Sequence, residues 1–362
     1  MTKEAEVLFK LIQVALGHEE KISLPNVVKW EEVYELSLNQ GVMAIACDGI
    51  LAIEDCNIDE NLRYMWIGQS MLVEQRYLQH QKAVVDLANF FCGQGIRMML
   101  LKGYGFSLYY PIPEHRPSGD IDIFLFDAKS NIPLWKEGDK FVNEILNIKV
   151  DNSHHHHTVF EFEGQSVENH YDFINIYAHK SNRRIENILK SWAFVDCSSI
   201  TESVVVPSAN FNALFIVKHN ASHFASTKMS IRNLLDWLLF VEHHSGIIDW
   251  VSLCDIYQRE NLSQFVAVLN TIGVRYLGFP ETLFPLLEKD EKLIARVLDD
   301  IISPEFKEKE NGTLCSALWV KPRRWWCNRW KHNICYTDSL FSSFVYSLYA
   351  KFLKPGHFLH CY

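Results

Sequence analysis

The sequence predicts an α+β protein in which a small mixed sheet lies between an N-terminal and a C-terminal helical region. Three observations carry that expectation: helical apolar periodicity before about residue 95 and after about residue 207, two short apolar runs between these regions, and two stretches of strict alternation behind them. The first helical pattern is clearest at Leu62, Met65, Trp66, Gln69, Leu72 and Val73, which are expected to share one buried face. After Gly93-Gln94-Gly95, the run Ile96 to Leu101 reads as a strand followed by a glycine-punctuated turn and a short helix through Tyr110. Ile121 to Phe126 reads as a second strand, entered from the turn Pro117-Ser118-Gly119, with a helical stretch around Leu134 to Leu146 after it. Val159 to Glu163 and Val167 to Phe173 alternate with period two and join at Gly164-Gln165, the pattern of an antiparallel hairpin. Helix returns from about Asn210, as at Leu234, Leu235, Leu238 and Leu239. The expected organisation is a helical region over 1–95, a sheet-bearing core over 96–206, and a helical region over 207–362 with a basic aromatic segment near 319–331.

A chain of 362 residues, 48% of them hydrophobic, can bury a large core, so disorder is not the expected state. The formal net charge of -9 argues against indiscriminate polyanion binding, and a nucleic-acid partner is the less favoured reading. Nine cysteines with no Cys-x-x-Cys spacing read as reduced thiols. The acidic, amphipathic N-terminus does not have the pattern of a secretory signal, and no run of about 18 or more apolar residues would span a bilayer. A cytoplasmic location is the expectation.

The chemistry centres on Gly119-Asp120-Ile121-Asp122-Ile123. Successive strand side chains point to opposite faces, so Asp120 and Asp122 are expected to project together while Ile121 and Ile123 enter the core. Two neighbouring carboxylates repel unless a cation lies between them, and an all-oxygen set suits Mg²⁺ or Mn²⁺. By the same argument, neutralising either aspartate should leave the metal-free protein equally stable or slightly more so. The bland alternative is a wet strand edge. Upstream, Gly103 permits close backbone approach to an anion, and Lys102 and Arg116 can add positive charge. A third carboxylate would come from the hairpin, where Glu161, Glu163 and Glu168 are all candidates.

Elsewhere, His154 to His157 invite a metal reading, but consecutive residues rarely converge on one ion, and a solvated loop is the expectation. His219 and His223 share a helix face, as do Arg232 and Asp236, for which a local ion pair is the simpler account. The segment Trp319 to Trp330 interleaves Lys321, Arg323, Arg324 and Arg329 with four tryptophans. Docking of these aromatics onto the helical region is preferred to nucleic-acid or membrane contact.

Leu101-Lys102-Gly103, Tyr110-Pro111, Arg116, Asp120-Ile121-Asp122-Ile123 and Val167-Glu168-Asn169-His170, with Ile231 to Trp237 further on, together resemble the uncharacterised bacterial nucleotidyltransferase family of the DNA polymerase beta-like superfamily. The likeness covers about residues 40 to 290. It implies a nucleotidyltransferase-type sheet over 96–206 and metal-dependent transfer of a nucleotidyl group from an NTP such as ATP to an unidentified acceptor hydroxyl, on a small molecule or a protein. It favours Glu168 as the third carboxylate beside Asp120 and Asp122. It implies phosphate contacts from Lys102, Gly103, Arg116 and Gly119, and a periphery of His170, His223, Arg232 and Asp236. One departure stands out: the superfamily usually has Gly-Ser or Gly-Gly where this chain has Lys102-Gly103-Tyr104. The alternative it raises is a catalytically silent binding protein on the same fold.

Overall fold

A computed structural model of the chain describes residues 1–19, 22–54, 56–306 and 323–353. The chain divides into two compact units. One comprises Met1–Leu72, Tyr109–Pro111 and Ile216–Leu340; the other comprises Val73–Leu108, Ile112–Phe215 and the segment from Phe341. The architecture is mixed α+β, as the sequence predicts.

The first unit is helical. It contains α1 (Lys3–Ala15), α2 (Trp30–Asn39), α3 (Met43–Ala52), the start of α4 (Glu60–Gly93), the later part of α8 (Ala209–Ser226), α9 (Ile231–His244), α10 (Trp250–Arg259), α11 (Ser263–Leu277) and α12 (Glu291–Ile302). Gln40 joins three of these helix ends, because its amide donates to the Ile301 carbonyl at 2.8 Å and accepts from the Ile231 N–H at 2.9 Å. A capping box between Ser230 and Asn233 starts α9. Behind it the buried indole of Trp237 donates to the Asn270 side chain at 2.8 Å, which satisfies an N–H that would otherwise be stranded in the core.

The expected face of α4 needs correction. Leu62 and Trp66 are buried, but Met65, Gln69 and Leu72 are exposed and Val73 is half-buried. The buried stripe continues through Ser70, Tyr77, His80, Val84, Leu87 and Phe91, so the helix buries a narrow line that its apolar residues overfill.

The second unit is built on one mixed sheet. Its strands are β1 (Ile96–Leu100), β2 (Ile121–Asp127), β3 (His157–Phe162), β4 (Gln165–His170), β5 (Ser198–Ser199) and β6 (Val204–Val206), in the spatial order β3-β4-β2-β1-β6-β5. The hairpin β3/β4 and the pairs β1/β2 and β5/β6 are antiparallel, whereas β4 runs parallel to β2 and β6 parallel to β1. A single helical turn, α5 (Tyr104–Ser107), stands where a helix through Tyr110 is expected. α6 (Trp135–Glu144) and α7 (Asn182–Trp192) also belong to this unit, as does the C-terminal part of α4.

β2 lies inside the sheet and is buried on both faces, which is why it reads as an unbroken apolar run. Ile121, Ile123 and Leu125 meet the C-terminal part of α4 in a core with Val84, Leu87, Phe91, Val142 and Val167. α6 comes so close that a Cβ on Gly138 would lie 2.2 Å from Leu125 Cδ1. The other parity of β2 carries Asp122, Phe124 and Phe126, with Phe124 stacked on Phe173 at 4.7 Å and Phe126 against Phe194 at 4.9 Å. Asp122 is therefore the polar member of an aromatic face, anchored in a strand that has little freedom to move.

Candidate active site

Three carboxylates gather where β2 begins beside β4. The parallel register sets Asp122 opposite Glu168 and Ile121 opposite Val167. Asp120 stands one residue ahead of the strand. The pairing of β1 reaches the same place, since the Leu101 N–H donates to the Asp122 carbonyl at 3.0 Å and brings Lys102 in with it. Lys102 Nζ then lies 3.0 Å from Asp122 Oδ1. Gly103 follows at φ 66, ψ -113, a left-handed conformation that favours glycine, and a Cβ there would face the Asp120 carbonyl oxygen at 3.5 Å.

The two aspartates differ sharply. Asp122 is only 2% exposed, and its Oδ1 accepts from both Lys102 and His170 Nε2, the latter at 3.1 Å. Asp120 is exposed as a residue, yet partial desolvation of its carboxyl, followed by the charges of Glu168 and Asp122, pushes its pKa up. A hydrogen bond from Ser166 and the charge of Lys102 offset part of that.

His170 ties the cluster together. Nδ1 donates to the Asp172 carbonyl at 3.2 Å, which turns Nε2 towards Asp122 and towards Glu168 Oε2 at 3.4 Å. Burial alone would lower its pKa, but the hydrogen bonds and charges of these two carboxylates raise it to about 9. Burial likewise works against ionisation of Glu168, and His170, His157 and Lys102 overcome it to hold the carboxyl well below its ordinary range. For Lys102, the charges of Asp122 and Glu168 outweigh desolvation and raise the pKa. At neutral pH the carboxylates thus carry their own counter-ions, Lys102 and the His170 imidazolium.

The competing hairpin glutamates are arranged differently. Glu161 is exposed, and Glu163, at φ 49 in the turn, pairs with Lys82 at 2.9 Å. Asp172, just beyond the strand, is engaged with Lys190. The second hairpin strand ends at His170 rather than Phe173, because the Tyr171 and Asp172 N–H groups both turn to the His156 carbonyl, at 3.0 and 3.2 Å. Arg116 is buried with Nη1 3.4 Å from the Pro117 carbonyl, while Gly119 is exposed.

The histidine run is not a solvated loop. His154 to His156 form a half-buried bend, and His157 is the first residue of β3, 2% exposed and in register with His170. Burial and the charge of His170 push the His157 pKa down to about 4, and burial holds His156 lower than usual as well. His80 of α4 is another residue that sequence reasoning missed. It is 1% exposed and bonded through Nδ1 to Gln165 at 3.1 Å, while burial and the charge of Arg116 lower its pKa against the pull of Asp122 and Asp120. Only the contact partners reveal it, since a lone histidine on a long helix has no motif.

The remaining expected residues belong to the helical unit. Asp236 accepts from the Tyr110 hydroxyl at 2.7 Å, the stem of Arg232 lies against Gly41, and exposed His223 packs its ring on His219. In the basic aromatic segment, Trp330 docks edge-on to Phe224 at 5.5 Å beneath the Arg296 guanidinium, whereas Trp326 stays 61% exposed under Arg329. Trp319 and Lys321 lie outside the described residues.

Strand-borne carboxylates clustered beside a lysine and a left-handed glycine, at the end of a mixed sheet flanked by helices, are the makings of the nucleotidyltransferase class. Residues 26–277 match the family described as an uncharacterised nucleotidyltransferase, well over half of the chain, and the chain belongs to that family. No curated protein matches it. No solved structure matches it either.

Proposed function

We propose that the protein transfers a nucleotidyl group from an NTP to an acceptor hydroxyl of a small molecule or a protein, with Mg²⁺ or Mn²⁺ held by Asp120, Asp122 and Glu168. The observation that carries this reading is the register of β2 on β4, which sets a buried aspartate beside a glutamate on adjacent strands. The donor set suits such an ion: carboxylate oxygens of Asp122 and Glu168 lie within 4.8 Å of one another, with Asp120 next along the chain. A divalent cation there supplies positive charge for the phosphates and for an acceptor oxygen losing its proton. In this reading Glu168 would accept or help to accept that proton. Lys102, Gly103, Arg116 and Gly119 would bind the phosphates through ammonium, backbone and guanidinium contacts.

The direct test is incubation with each labelled NTP and Mg²⁺ or Mn²⁺ in cell extract, followed by separation of protein, RNA and small molecules. Glu168→Gln is expected to lower transfer far more than NTP binding, with Glu161→Gln and Glu163→Gln as near-silent controls. Activity lost in a control and kept in Glu168→Gln would assign the base elsewhere on the hairpin.

Lys102 and Arg116 stand in for the absent Gly-Ser hydroxyl. A charge-assisted contact to phosphate is worth about 1.5 to 3 kcal/mol, so Lys102→Ala or Arg116→Ala should weaken NTP binding by roughly ten- to a hundredfold. Titration calorimetry with a non-hydrolysable NTP and with NMP checks this, because the loss should be large for the triphosphate and small for the monophosphate. A second reading, a silent binding protein, is favoured by one observation: Asp122 is already bonded to two cations. Equal NTP affinities in all three proteins would support it.

A further inference from the structure

Beside the carboxylates, β3 and β4 bring three imidazoles together. The ring centroids of His156, His157 and His170 lie 4.4, 5.1 and 5.4 Å apart, and each residue offers a ring nitrogen within 4.8 Å of the others. The bend at residues 154–156 and the first residue of β3 supply two of them, and the register partner of His157 on β4 supplies the third. Convergence that a run of consecutive residues does not reach is thus achieved across two strands.

A second, independent observation points to a ligand. His157 is 2% exposed, yet neither of its ring nitrogens has a hydrogen-bond partner. Burying an imidazole with both nitrogens unsatisfied is costly, and a bound partner would offset that cost. Glu168 adds a fourth donor, with Oε2 3.6 Å from His157 Nδ1 and 3.4 Å from His170 Nε2. Two ligands bonded at about 2.0 to 2.1 Å to a tetrahedral Zn²⁺ stand roughly 3.3 Å from each other, close to both of these separations. His170 also has the outer contact typical of a ligating histidine, Nδ1–H to a backbone carbonyl, so a cation that displaces the proton on Nε2, now shared with Asp122 and Glu168, would find that nitrogen as its inward atom.

We propose that His156, His157 and His170, with Glu168, form a site for a borderline first-row transition cation such as Zn²⁺, separate in donor chemistry from an oxygen-only site for Mg²⁺. Nitrogen-rich donor sets select such ions, and Mg²⁺ prefers carboxylate and water. The proposal does not depend on nucleotidyl transfer, since it rests on the convergence of the imidazoles and the unpartnered nitrogens of His157.

The test uses the full-length protein, stripped with a chelator and titrated with Co²⁺ alone while its visible absorption is recorded. The expected result is one equivalent bound with the intense bands of tetrahedral coordination, displaced by Zn²⁺ and unmoved by excess Mg²⁺. His156→Ala and the milder His157→Asn should each weaken Co²⁺ binding by tenfold or more, with His154→Ala and Glu161→Gln close to wild type. His156 is half-buried, so its variant reports even if substitution at 157 unfolds the protein. Absence of the tetrahedral bands, unchanged affinity in His156→Ala, or displacement by Mg²⁺ would each overturn the proposal. Loss of NTP transfer with Co²⁺ binding intact would count against the nucleotidyltransferase reading alone.

Discussion

Asp122→Asn is expected to reduce metal-dependent nucleotidyl transfer by more than about a hundredfold and, against the expectation from sequence, to destabilise the metal-free protein. The sequence argument treats Asp120 and Asp122 as a repelling pair. That description suits Asp120, whose pKa is raised by desolvation and by the neighbouring carboxylates. Asp122, however, is 2% exposed and holds Lys102 and His170, so removing its charge takes from both cations the carboxylate they are bonded to. Removing one partner of a buried ion pair costs about 3 to 5 kcal/mol, and with Lys102 partly solvated and Asn still able to accept hydrogen bonds, roughly 2 to 3 kcal/mol is expected here. Asp120→Asn should lose transfer but keep or slightly gain stability. Urea unfolding of both variants without metal separates the cases, and equal stabilities would mean that Asp122 is not the hub of the network.

The pH dependence follows from the same contacts. His170 rises from 6.5 to about 9 on folding, so its contribution is fully present below pH 6.5 and is lost as pH climbs through 9. Glu168 moves the other way, below its ordinary 4.5, so its contribution is present above that value and fades in acid. The stability advantage of wild type over Asp122→Asn should therefore be widest between about pH 4.5 and 6.5 and shrink as pH rises from 6.5 through 9.

Lys331→Met is expected to be the most destabilising single change outside the site. Lys331 Nζ lies 2.6 Å from Asp300 Oδ2 with both side chains fully buried, and the ammonium also faces Phe224 at 5.1 Å. Taking away the lysine strands a buried carboxylate, which costs about 3 to 5 kcal/mol. Replacing both partners, as in Lys331→Met with Asp300→Leu, should recover a large part of that loss. Recovery will be incomplete because Asp300 also accepts from the Glu305 N–H at 3.0 Å. Urea denaturation of the single and double variants measures the coupling, and a double variant no better than the single would show that the pair is not what holds this region.

Much of the sheet was legible in the sequence because its inner strands are buried on one or both faces. Ile96 to Leu101 and Ile121 to Phe126 appear as strands within a residue or two, and so does the hairpin turn at Gly164. β5 and β6 were not legible: two- and three-residue strands are too short for alternation to register, and β6 joins through a parallel pairing that no local pattern encodes. The strand order was hidden for the same reason. At the candidate site, Asp120, Asp122, Lys102 and Glu168 could be nominated from spacing and resemblance, but the inequality of the two aspartates could not. It arises because β2 starts at Ile121, which leaves Asp120 outside the strand and Asp122 within it. His80 and the orphaned nitrogens of His157 depend wholly on tertiary neighbours, and the exposed apolar residues of α4 show that periodicity overestimates a helix's buried face.

The parallel pairing of β2 with β4 has a consequence for how this site tolerates change. The separation between the Asp122 and Glu168 backbones is set by peptide hydrogen bonds at a strand spacing of roughly 4.8 Å, and side-chain packing has little say in it. Core substitutions on the α4 or α6 side can loosen the layers without altering that interval. The bend at residues 154–156 and the turn at Gly103 around it are held by isolated peptide hydrogen bonds and not by a continuous ladder. Variation among proteins built on this frame is therefore expected to accumulate at the rim, while the gauge between the two acids stays fixed.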